Sequence, residues 1–131
     1  MSSYLVFSLK EKNTGEYRDV TSYVRGSNQF DIVTSSISMP RNNSYTKLTN
    51  NNVSLIRDEI KRVREDLENR MEAYRQTNNP SWDLYTTAQD YIKMIKDIEA
   101  LDMWCDNLNH IVDDIELSDG FYEGLYMYID N

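Results

Sequence analysis

The chain has 131 residues, a net charge of −8 and one cysteine, Cys105. That length suits one compact domain over residues 1–131. A single cysteine excludes an internal disulfide, and no apolar run approaches the roughly 20 residues a membrane span needs, so no membrane partner is expected. Residues 1–80 carry 12 basic and 10 acidic side chains, while residues 81–131 carry 2 and 12. The second half therefore repels phosphate backbones, direct DNA or RNA binding is not expected, and any anion site belongs to the first half.

The start, MSSYLVFSLKEK, has neither a basic n-region nor a long apolar core, so a cytoplasmic protein is expected. Leu5, Phe7 and Leu9 alternate with Val6 and Ser8, which reads as a strand. Asn13–Gly15 supplies a turn with a glycine free to take positive φ, and Tyr17, Val20 and Tyr23 belong to a returning strand. An isolated hairpin is marginal in water, so this one must lie on something else. Ser27 is placed to cap a short helix carrying Phe30, Val33 and Ile37, and Pro40 ends it. Residues 41–52 are polar and asparagine-rich. They read as loop, with a short strand around Tyr45–Leu48 as the other possibility.

Residues 50–78 predict a first long helix. Val53, Ile56, Ile60, Val63, Leu67, Met71 and Tyr74 recur at steps of three and four, which makes a seam, and a seam needs a partner. An asparagine in 50–52 is expected to cap it, with Asn78, Asn79 and Pro80 stopping it. A second long helix, residues 81–117, presents a stripe through Leu84, Ala88, Tyr91 or Ile92, Ile95, Ile98, Leu101, Cys105, Leu108, Ile111 or Val112, and Ile115. The short connection makes the pair antiparallel. The second stripe is too long for the first helix to cover alone, which predicts contact with the hairpin and a homo-oligomer. After the Ser118–Gly120 turn, residues 121–130 alternate Tyr126 and Tyr128 with Leu125, Met127 and Ile129. They read as a strand, with a short helix competing.

Chemistry-bearing groups are sparse. His110, the one histidine, shares a helix face with Asp106 and Asp114, a set able to hold a metal or poise a base. The plainer reading is a solvated acidic face, and no metal site is assigned. Cys105 falls in the apolar stripe and reads as an inert thiol. There is no glycine-rich phosphate loop, CxxC or HExxH, so no cofactor and no catalytic residue is assigned and an enzyme is not expected. Arg57, Lys61 and Arg64 form a row on the first helix, with Arg25 and Arg41 before it. Arginine forks suit phosphate oxygens, and Tyr45, Tyr74, Tyr85 and Trp82 offer faces for a stacked base. The plainer reading is a solvated helix with local ion pairs, because Asp58, Glu59, Glu65 and Asp66 alternate with Arg57, Lys61 and Arg64. Ten tyrosines suit a chain with large interaction surfaces.

A hairpin containing EKNTGEYRDV, the turn YVRGSNQF and two long helices give the outline of a small accessory protein of a phage or prophage. More narrowly, this outline resembles the Thoeris anti-defence sponges. The resemblance implies an N-terminal β-region, long C-terminal helices, an oligomer, and sequestration of a cyclic ADP-ribose-type signal without cleavage. It also implies a pocket between subunits, with Arg25 and Arg57 as its phosphate-binding arginines. The expectation is thus an α+β fold, a small antiparallel sheet packed on a long antiparallel two-helix hairpin. The expected function is non-enzymatic capture of a small nucleotide signal through Arg25, Asn28, Arg57, Lys61, Tyr45 and Trp82. The alternatives are an acidic inhibitor that mimics nucleic acid against a host defence protein, and a helical assembly protein.

Overall fold

The computed structural model describes residues 2–38, 44–76 and 82–131, without the side chains of Tyr74 and residues 82–87. Its elements are β1 (Tyr4–Glu11), β2 (Tyr17–Val24), α1 (Asn28–Ser36), β3 (Thr46–Lys47), α2 (Asn50–Arg75), α3 (Trp82–Leu117) and β4 (Tyr122–Asp130). The fold is α+β: an antiparallel sheet in the order β2-β1-β4-β3, with two long packed helices and one short one.

Alternation in β1 and β4 decides which face is buried. Leu5, Phe7, Leu125, Met127 and Ile129 turn inward and join the core. Phe7 sits edge-on to Tyr23 at 6.3 Å and to Trp104 of α3 at 6.0 Å, which fastens the sheet to the helices. The hairpin turns where expected, with Gly15 at φ 70. Within the expected stretch 121–130, Tyr122–Asp130 form a strand, not a helix, and that strand lies inside the sheet between β1 and β3.

The seam of α2 meets the stripe of α3. Val53, Ile56, Ile60 and Met71 are buried, as are Ile98, Leu101, Cys105, Leu108 and Val112. Val63 and Leu67 are half-buried, and Ile92 is exposed. Part of the expected excess of α3 is covered within the chain, because β4 and α1 both pack on it and α1 also packs on α2. Ser27 caps α1, its hydroxyl accepting from the Phe30 N–H at 3.2 Å.

The cap of α2 differs from expectation. Thr49 holds that place: its hydroxyl accepts from the Asn52 N–H at 3.2 Å, while the Asn52 side chain accepts from the Thr49 N–H at 2.9 Å. Two orphan donors are satisfied reciprocally, a gain that no asparagine inside the first turn matches alone. In the described residues α2 ends at Arg75. The expected stop at Asn78, Asn79 and Pro80, and Arg41 in the loop, lie outside the described residues.

Candidate binding surface

The opposite face of the sheet carries what the helices leave free. Tyr4, Val6, Ser8 and Lys10 of β1 pair in register with Val24, Ser22, Asp19 and Tyr17 of β2 on one side, and with Asp130, Tyr128, Tyr126 and Gly124 of β4 on the other. Among the described residues no helix packs on this face. Val6 and Ser8 are nevertheless buried, so the side chains of the face cover one another.

Tyrosines dominate it. Tyr45, just before β3, stacks on Tyr17 with centroids 3.8 Å apart and leans on Tyr128 at 4.7 Å. Tyr126 meets Tyr17 edge-on at 5.6 Å, and the Lys10 ammonium lies 5.6 Å from the rings of both Tyr17 and Tyr126. Four tyrosines from three separate stretches of the chain thus form one cluster because β4 sits between β1 and β3. Gly124 helps to close it: a Cβ there would lie 2.9 Å from the Lys47 side chain and 3.1 Å from the Tyr126 ring. Lys47 crosses that space to pair with Glu123 at 3.3 Å.

Carboxylates fix the tyrosine hydroxyls. Asp19 accepts from the buried Ser8 hydroxyl and from Tyr128 at 3.2 Å. Glu123 accepts from Tyr126 at 2.8 Å. Desolvation, with these anions beside them, pushes both Tyr126 and Tyr128 up to about 12. Hydrogen bonding from Tyr126 in turn holds Glu123 below the usual carboxylate range. Burial raises Tyr23, behind the sheet, to about 12 as well.

Each raised value means the fold prefers the neutral phenol. That stabilisation is complete below the unfolded value of about 10 and is lost as pH rises through about 12. In an alkaline titration followed by phenolate absorbance, a late-ionising group of tyrosines is expected, with unfolding beginning in the same window. All ten tyrosines ionising together near 10 in a folded protein would contradict this arrangement.

The residues expected to bind a nucleotide fall on different elements. Tyr45 is on the outer sheet face. Arg57 is in the helical layer, where it pairs with Asp102 at 2.9 Å and with Asp106. Burial draws the Arg57 pKa down, but the Asp106 hydrogen bond and the nearby anions more than offset this and leave it raised. Asn28 donates to Asp97 at 2.7 Å and ties α1 to α3, with Lys93 on the same carboxylate at 3.3 Å. Arg25 is exposed, its guanidinium 5.8 Å from the Phe30 ring centroid, and Lys61 is exposed on α2. Trp82 opens α3, and its side chain lies outside the described residues, as do those of Tyr74 and Tyr85.

Among the described residues, no group of three or more His, Cys, Asp or Glu is arranged to hold a metal ion. His110 is exposed. Cys105 is buried, and desolvation pushes its thiol up to about 11, away from the reactive thiolate. Sequence reasoning missed Tyr17, Tyr126, Tyr128, Asp19 and Lys10 as a group. The alternation of Tyr126 and Tyr128 was the available signal. Comparison with protein-family models, curated proteins and solved structures found no match.

Proposed function

We propose that this is a non-enzymatic binding protein whose working surface is the outer face of the sheet, presented to a partner protein. The observation that supports it is the cross-strand cluster of Tyr17, Tyr45, Tyr126 and Tyr128 on a face that no described helix covers. Tyrosine offers large, stiff contact area with a polar tip, and it is enriched where proteins meet. The face is broad and its grooves are open, whereas small ligands prefer enclosing clefts.

A second reading keeps the expected nucleotide signal, captured to counter a host defence. It is favoured by the Tyr17–Tyr45 stack beside the Lys10 ammonium, since planar bases stack on tyrosine and phosphate seeks a cation. In this reading the ligand moves from the arginines to the sheet.

One experiment separates the two. The protein is recovered from a cell extract, or incubated with cyclic and ADP-ribose-derived nucleotides, and weighed by native mass spectrometry, which also counts subunits. The expected result is a retained protein that is lost from a Tyr45→Ala/Tyr128→Ala variant of unchanged circular dichroism. An intact nucleotide lost in the same variant would favour the second reading. Retention of every bound species by that variant would overturn both.

A further inference from the structure

Among the described residues, the same sheet face ends at an open edge. β2 is the outer strand beside β1. The Arg25 N–H donates to the Ser3 carbonyl at 2.8 Å, so residues 3 and 25 form a hydrogen-bonded pair. Alternation then makes Leu5 and Tyr23 the next bonded pair, while Tyr4/Val24 and Val6/Ser22 exchange no bonds. The N–H groups of Ser22 and Val24 and the carbonyl of Ser22 therefore point away from the sheet. The Val24 carbonyl points outward too, but accepts from the Ser27 N–H at 3.0 Å.

Beside this edge the surface is apolar with an acidic rim. Tyr4, Val20 and Val24 are 40%, 41% and 41% exposed. Tyr4 and Val20, with Val6, Thr21 and Ser22, border a groove of about 350 Å³ whose charged groups among the described residues are Asp19 and Asp130. Asp19 is held in place by Ser8 and Tyr128.

We infer that this edge docks an extended basic segment of a partner protein. The segment adds as a fifth strand beside Thr21–Val24 and lays an arginine or lysine between Asp19 and Asp130. Neighbouring strands lie about 4.8 Å apart, so a long side chain starting opposite Ser22 reaches over β2 to the groove above Val6. Its aliphatic stem covers the valines and Tyr4, and its charged head meets the carboxylates. The main chain supplies affinity, and the groove supplies the preference for a basic residue.

The irregularity between Phe7 and Ser8 leaves Val20 unpaired, which confines regular pairing to the stretch after it. A second copy is the poorer occupant. It carries the same charge of −8 and brings a second Asp19 to the edge. The inference rests on the outer face being the working surface; it shares with the tyrosine cluster only Asp19, which Tyr128 holds, while the strand edge and Asp130 lie apart from it.

The probe is a capped peptide of alternating valine and arginine, six residues long, with a valine–glutamate peptide as control. Calorimetry and amide exchange by NMR are the readouts. The arginine peptide is expected to bind and to slow exchange at Ser22 and Val24 by about tenfold or more. Asp130→Asn, at an exposed position, is expected to weaken binding about fivefold, and added salt to weaken it further. Ser22→Pro removes an outward N–H, costs no bond within the sheet, and is expected to abolish binding.

Equal binding of the glutamate peptide, no binding of either peptide, or unchanged exchange at Ser22 and Val24 would overturn the inference. So would protection that grows with protein concentration alone, which would assign the edge to a second copy. Binding that survives Ser22→Pro but is lost in Tyr45→Ala/Tyr128→Ala would also overturn it, while leaving the sheet face as the working surface. Failure of that double variant to release a captured protein overturns the broader reading, whatever the peptide does.

Discussion

Phe7→Ala is expected to destabilise the protein by about 3–5 kcal/mol, the usual range for emptying a fully buried aromatic position. Phe7 is 0% exposed and lies on β1, one of the two strands bonded on both sides. Its ring meets Tyr23 and Trp104 edge-on, so the truncation removes two aromatic contacts as well as apolar area. The sheet and α3 would have to close around the void, but both are held elsewhere by residues such as Leu5, Leu101 and Met127, each buried. Collapse is therefore limited and most of the cavity cost remains. Against the roughly 5–15 kcal/mol of a typical domain, that loss threatens folding at physiological temperature. Phe7→Leu keeps more volume and is expected to cost clearly less. Urea unfolding with an unchanged slope is the measurement. A loss under about 1 kcal/mol for Phe7→Ala would mean that the sheet is not fastened to the helices through this ring.

The two halves of the fold differed in legibility for a physical reason. The seam of α2 and the stripe of α3 repeat every three or four residues, and the helix pair follows from that period. The inward residues of β1 and β4 were readable from alternation in the same way. Strand order was not, because nothing local in Tyr122–Asp130 encodes that β4 lies between β1 and β3. That order is what gathers Tyr17, Tyr45, Tyr126 and Tyr128, so the cluster stayed hidden although each tyrosine was in view. Arg57 shows the converse. From sequence its charge reads either as free for phosphate or as paired with the acidic residues beside it. Its partners, Asp102 and Asp106, lie 45 and 49 residues away and are delivered by the antiparallel pairing of α2 and α3. Thr49 does not stand out as a cap in sequence, where three asparagines follow it, and only the reciprocal bond with Asn52 distinguishes it.

Arg18→Ala is expected to cost about 1–3 kcal/mol, much of it from the charge it leaves behind on Glu11. Glu11 is 3% exposed and closes β1 at the point where its register with β4 shifts. Its carboxylate accepts from the Arg18 Nε at 2.7 Å and from the Thr14 hydroxyl at 2.8 Å. Without Arg18, one hydroxyl is left to satisfy a buried anion. The Arg18 side chain is 65% exposed, so water can enter from its side, which keeps the cost below that of breaking a fully enclosed pair. Glu11→Gln removes the charge while keeping the shape, and alone it is expected to cost less than Arg18→Ala. The double variant should then cost less than the sum of the two, because the arginine matters mainly through the anion it neutralises. Equilibrium unfolding of the wild type and three variants gives the coupling. Strict additivity would show that Arg18 acts through its own packing. The same pair bears on the binding face, since Glu11 follows Lys10 and Arg18 follows Tyr17. A loosened turn would displace Tyr17 of the stack and the lysine beside it, and should weaken partner capture even where the fold survives.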